Sequence, residues 1–197
     1  MPFEPGRGKD IIPTETVIGS VSRIRHNEPM KLTQLVLDEL EREAELSRRA
    51  LAVVPAGKGD WKPHDRSMIF GYLADMVANI PNWVAMIVTK PELDIAPPGG
   101  PQQRREPLND SAAFLAALDK SMAGARSALQ QTTDDHLMTD WRLLAGGKPV
   151  IETSRYVMIR DTINHWVHHR GQMTVYLRLM GAKVPALYGP SADDQSF

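Results

Sequence analysis

Two histidines four residues apart carry the strongest chemical signal in this chain. They belong to the run His165-Trp-Val-His168-His169-Arg170-Gly-Gln172, which lies in a long helical stretch near the C-terminal end. On an α-helix this spacing stacks the two imidazoles on one face about 6 Å apart along the axis, so both rings can turn toward one metal ion. A pair of this kind is half a site, because zinc, nickel or copper normally takes at least one further protein ligand. There is no cysteine among the 197 residues. A thiolate ligand, a cysteine nucleophile and a disulfide are therefore all excluded.

Other chemistries lack their parts. No HExxH sequence occurs, so the glutamate base of the zinc proteases is missing. No ExxH pair occurs either, and a ferritin-like di-iron bundle needs one on each of two helices. A glycine-rich phosphate loop and a GxSxG nucleophile are absent as well. The formal net charge of −1 gives no basic surplus for nucleic acid, so DNA or RNA is not an expected partner. No apolar run is long enough to span a bilayer, and the first residues, MPFEPGRGKDIIP, lack the apolar core of a signal peptide. The expectation is a cytoplasmic protein that is not bound to a membrane.

The elements that must hold the histidines can be read from periodicity. Residues 1–29 mix glycine, proline and charge without a helical period and read as an extended N-terminal arm; residues 30–197 read as one domain. A first helix follows from Met30 to about Val54, with Leu32, Leu35, Val36, Leu40, Ala44 and Leu51 on its apolar face. Ser67 is the expected N-cap of a second, strongly apolar helix bent at Pro81, whose ring clashes with the carbonyl four residues back. Residues 90–109 hold five prolines and two adjacent glycines and are expected to have no regular structure.

A third helix begins at Asp110 or Ser111 and buries Phe114, Leu115, Leu118, Met122, Ala125 and Leu129. Around Trp141, two short apolar stretches flank Gly146-Gly147, suggesting a small hairpin or an irregular loop. The fourth helix starts near Thr153 or Ser154, carries both histidines and stops at Gly181. Four long amphipathic helices imply an all-α four-helix bundle. The connection between the first two helices is short, whereas about 20 residues can cross the length of a bundle, so the predicted order is up-down-down-up. The shape of any pocket depends on the 90–109 linker and the Trp141 segment.

Four stretches together resemble the DinB family of bacterial metalloproteins. They are Trp61-Lys-Pro-His64-Asp-Arg-Ser67-Met, Leu73-Ala-Asp-Met76-Val-Ala-Asn-Ile-Pro81-Asn-Trp83, the block His165 to Arg178, and Val184-Pro-Ala-Leu-Tyr188-Gly-Pro-Ser. The resemblance runs from about residue 30 to the end, and HxxHHRGQ is its most specific part. It implies an up-down-down-up bundle, often dimeric, with three histidines around a divalent metal such as nickel or zinc. Carried onto this chain it implies His165 and His169 as metal ligands, with Met76 at the position of the helix-two histidine. A thioether suits copper(I) and is a poor third ligand for zinc or nickel(II). Candidate substitutes are Asn79, His64 and Asp161, the last more naturally a hydrogen-bond acceptor for a ligand histidine.

The neighbours of the pair have structural readings too. His168 points toward another helix or a dimer partner, and His64, after a proline, organises a turn. Arg170 and Gln172 make hydrogen bonds to nearby loops, Tyr176 brings its hydroxyl toward the cavity, and Met76, Trp83 and Trp166 pack in the bundle or at an interface. Two functions remain open at this level. The resemblance implies a metal-dependent enzyme of hydrolase or thiol-transferase type acting on a small molecule. The alternative is a metal-free, catalytically degenerate bundle serving as a ligand-binding or homodimeric scaffold, with the two histidines buried and hydrogen-bonded across the bundle.

Overall fold

The computed structural model describes residues 30–100 and 108–196; the predicted N-terminal arm lies outside them. Helix α1 (Leu32–Ala52) buries Val36, Leu40, Ala44 and Leu51 as its period requires, while Leu35, expected inside, is exposed. Its N-terminus has no cap of its own. The carboxylate of Asp134 accepts from the backbone N–H groups of Leu32 and Thr33, both at 2.9 Å, and these bonds hold its pKa below the usual range.

The second predicted helix is two helices, α2 (Phe70–Asn79) and α3 (Pro81–Thr89), joined through Ile80. Pro81 occupies the first turn of α3, where its missing N–H is harmless. Ser67 is not the cap. The chain before α2 folds into a turn, and the carbonyls of Trp61 and Gly59 accept from the N–H groups of Phe70 and Gly71 at 2.7 and 2.8 Å. Helix α4 (Ser111–Gln130) is capped by Asp110, which accepts from Ala113 N at 2.9 Å, and it buries Phe114, Leu118, Met122, Ala125 and Leu129. After the short α5 (Asp134–Leu137) and the hairpin comes α6 (Arg155–Leu179), capped by Ser154 and ended by Gly181 at φ +79°.

The all-α expectation holds for the core and fails beside it. Strands β2 (Asp140–Ala145) and β3 (Lys148–Ser154) form an antiparallel hairpin around Gly146 and Gly147. Both glycines have positive φ, +61° and +77°, as a tight two-residue hairpin turn demands. The linker expected to be irregular contributes a third strand, β1 (Glu92–Asp94), parallel to β2 with Leu93 opposite Leu143. Three residues of strand are invisible to periodicity. They are held by tertiary bonds: Arg142 pairs with Glu92 at 2.6 Å, and Asp94 accepts from Gly146 and Gly147 N–H at 3.1 and 2.7 Å.

Helix α1 and the α2–α3 rod each pack on both α4 and α6, and the sheet leans on α3 and α6. The junction is locked by Arg155, a buried cation at the start of α6. It donates to the carbonyls of Ile87 and Lys90 at the end of α3 and to Thr139 Oγ1, satisfying acceptors that the helix end leaves free. No helix among the described residues is long and apolar enough to cross a membrane.

Candidate functional site

His165 and His169 share one face of α6, and their rings converge. The two Nε2 atoms are 2.6 Å apart and the ring centroids 4.4 Å apart. His169 is buried and His165 half-buried. On the far side of its ring, His169 Nδ1 meets Gln172 Oε1 at 2.8 Å. A carboxamide oxygen only accepts, so Nδ1 carries the proton and Nε2 keeps its lone pair. His165 Nε2–H then donates to that lone pair. Burial is the main force lowering the pKa of both rings, with the adjacent imidazoles adding to it, while Gln172 opposes it at His169.

The hydrogen-bond partners around the pair differ from those expected. Asp161, foreseen as the acceptor for the second nitrogen of a histidine, is half-exposed and pairs with Arg160 at 3.3 Å; Gln172, expected to reach a loop, stays on its own helix and accepts from His169 Nδ1 instead. Arg170 does not reach a loop alone. It is fully buried between Glu43 and Ser47 of α1 and the tail residue Tyr188, donating to Ser47 Oγ at 3.0 Å, to the Glu43 carboxylate and to the Tyr188 hydroxyl. Tyr188 in turn donates to Glu43 at 2.6 Å, and burial followed by that bond pushes its pKa up to about 12. Glu43 carries no sequence signal, because a charged residue on a helix reads as solvated until its partner, 127 residues away, is known.

The remaining candidates separate clearly. His168 is exposed, its ring 5.3 Å from that of His169. His64 is exposed and accepts from Arg66 N–H at 3.1 Å, so it organises its turn. Asn79 donates to Asp75 and meets Ser121 of α4, which occupies it away from α6. Met76 is half-buried against the core. Tyr176 does not reach the cavity; its hydroxyl donates to Met68 O at 3.2 Å, and its ring packs on Trp61 and Phe70. Trp166 is wholly buried. Trp83, expected in a core or interface, tilts against His165 with centroids 5.5 Å apart.

Beside His165 opens a cavity of about 360 Å³, walled by α3, α6 and the sheet. Trp83, Trp141, Leu143 and Ile151 supply apolar surface, and both segments named as pocket-shaping, the linker through Leu93 and the Trp141 strand, take part. The arrangement can hold and exchange a proton between two neutral imidazoles, offer nitrogen donors to a cation, and keep an apolar molecule next to them. Among the described residues, no third histidine, aspartate or glutamate joins the pair in a cluster with metal-binding geometry.

Comparison with known proteins agrees with this architecture. The uncharacterized protein YrdA of Bacillus subtilis (strain 168) is 34% identical over 89 residues, covering 45% of this chain and 51% of YrdA. The chain thus spans about half the length of that curated relative. A crystal structure of a DinB-like protein from Bacillus cereus ATCC 10987 superposes with a TM-score of 0.62 at 24% identity, over 79% of this chain and 97% of that one. A second, the DinB-like protein YjoA of Bacillus subtilis, gives 0.56 at 14% identity, over 75% and 92%. At these identities the likeness shows the fold. The profile of the DinB family matches residues 30–196, and with more than four-fifths of its length so matched the chain belongs to the DinB family.

Proposed function

We propose that this protein is an enzyme on an up-down-down-up four-helix bundle, in which His165 Nε2 and His169 Nε2 attach a divalent ion, zinc or nickel, and the reaction is hydrolysis or thiol transfer on a small molecule. The observation that carries the reading is the convergence of the two Nε2 atoms to 2.6 Å from rings one helical turn apart. The packing of α1 and the α2–α3 rod between α4 and α6 supports the topology.

The donor set fits such an ion as far as it goes. Metal-binding imidazoles must be neutral, a form that the lowered pKa of both rings favours at pH 7, and His165 would bind once its proton passes from Nε2 to Nδ1. Nitrogens bound to one tetrahedral zinc stand roughly 3.3 Å apart, so the rings need open by less than about 1 Å. Gln172 holds His169 in the tautomer that turns Nε2 inward. The Trp83 ring lies against one flank of His165. When bound, the ion supplies acidity, lowering the pKa of a coordinated water toward ~7 or holding an external thiol as thiolate.

A second reading has its own observation. With no third histidine, aspartate or glutamate clustered with the pair among the described residues, and with methionine at position 76, the chain from His165 through His169 to Gln172 is complete as a hydrogen-bond network. In that reading the bundle is a metal-free scaffold that binds a ligand. Zinc and nickel titration of untagged protein separates the two. Near-stoichiometric binding that disappears in His165→Ala and His169→Ala supports the enzyme, and Met76→His then raises affinity at least ~10-fold. Protein that takes up neither metal leaves the scaffold.

A further inference from the structure

We infer that the cavity between the sheet and helices α3 and α6 is a ligand site built for a neutral, largely apolar ring compound of about two rings, carrying one hydrogen-bonding group that faces α6. As the substrate pocket of the imidazole pair it rests on the proposed function; as a binding site it stands by itself.

Size sets the first limit. Apolar cavities of roughly 150 Å³ already take a benzene-sized ring, so about 360 Å³ accommodates about two. Chemistry sets the second. The polar side chains of the lining, Asp161, Thr162 and His165, all lie on α6 within little more than one turn, while the facing walls from α3 and the strands are tryptophan, isoleucine and leucine. The indole N–H of Trp141 is already committed to Lys90 O at 3.1 Å. Apart from the indole N–H of Trp83, a ligand therefore meets hydrogen-bonding side chains on the α6 side, the pattern of a site that orients an apolar molecule by its polar end.

Charge sets the third. Among the described residues no lysine or arginine lines the cavity, and the one carboxylate there, Asp161, is paired with Arg160. A phosphate or carboxylate would find no counter-ion among these lining residues, and an unpaired charge beside apolar walls is costly to desolvate. Water is the wrong occupant as well. Ile95, Ile151 and Trp83 leave 62%, 44% and 36% of their surfaces exposed around the same opening, a concentration of apolar surface that a bound molecule would cover.

The test is calorimetric titration of the full chain with 2-naphthol in buffer containing a chelator. Saturable one-to-one binding is expected, at least ~10-fold weaker for 2-naphthoate and for Ile151→Asp, which sets a charge in the wall. Trp83→Ala, on the opposite wall, weakens binding too. Val150→Asp, the neighbouring exposed residue outside the lining, changes it by less than about twofold. Failure of wild-type protein to saturate, or equal loss in Val150→Asp, overturns the inference. So does Ile151→Asp converting a dimer to a monomer in sedimentation while 2-naphthol binding persists, because the opening would then be a contact between copies. Naphthol binding without metal uptake removes only the metal reading, and metal uptake without naphthol binding removes only this one.

Discussion

The indole N–H of Trp166 donates to the backbone carbonyl of Val77 at 2.7 Å, and Val77 is the residue whose helical partner Pro81 deletes. In an uninterrupted helix that carbonyl would accept from the N–H four residues on, but proline has none. A buried acceptor freed by a bend is thus taken by the neighbouring helix. The bond sets the register of α6 against α2 beside His165, and the bend it accompanies starts α3, where Trp83 meets the His165 ring.

Removing that donor should be costly. Trp166→Phe leaves Val77 O buried without its partner, so urea denaturation is expected to show a loss of about 1–3 kcal/mol beyond the change in packing. In a Pro81→Ala background the helix can supply its own N–H. The cost of Trp166→Phe should then shrink by at least about 0.5 kcal/mol, and a double-mutant cycle measures the difference.

Arg170, Glu43 and Tyr188 unfold on a steeper scale. Arg170→Ala strands a buried carboxylate and is expected to cost about 3–5 kcal/mol. Tyr188→Phe keeps the ion pair and loses hydrogen bonds, at about 1–2 kcal/mol. The pH profile has a definite sign. Tyr188 is neutral in the folded chain up to about 12, whereas the unfolded chain ionises near 10. Its contribution is therefore present below pH 10 and lost as pH rises toward 12, and in Tyr188→Phe the decline over that window is reduced.

Gln172→Leu leaves the exposed face of α6 folded and removes the acceptor for His169 Nδ1–H. Under the proposed function, zinc affinity falls roughly 10-fold or more. Nitrogen chemical shifts of His169 check the same point without metal, since the ring should lose its fixed tautomer.

Acid acts through the paired histidines. Both resist protonation when folded, and the unfolded chain protonates them near pH 6.5. The unfolded state therefore binds more protons below that value, and stability falls as pH drops from about 6.5 toward the lower folded pKa values. Urea midpoints between pH 7 and 5 should decline, less steeply in a His165→Gln, His169→Gln variant.

Much of this architecture was legible before any coordinates. The stripes of α1 and α4, the cap positions to within one residue at Asp110 and Ser154, the stop at Gly181 and a turn at Gly146-Gly147 are local, governed by backbone geometry and by the 3.6-residue period; the structure chose between the paired cap candidates and made the turn a hairpin. Two of the expectations that failed did so for a shared reason. Ser67 does not cap α2, because loop carbonyls 9 and 12 residues back satisfy its first turn, and residues 92–94 form a strand only because β2 lies beside them.

By itself the sequence determined that two imidazoles share one helical face, since a spacing of four residues leaves no other geometry on an α-helix. It also excluded thiolate, di-iron and zinc-protease chemistry by composition and motif. What surrounds the imidazoles was decided by tertiary structure alone. Trp83 reaches His165 across a bend, the sheet closes a cavity over α6 from residues some 20 and 70 positions away, and Glu43 becomes a buried ion only when Arg170 arrives. Those relationships depend on which chain segments meet, and that is set by the packing of the whole core, not by any short window of residues.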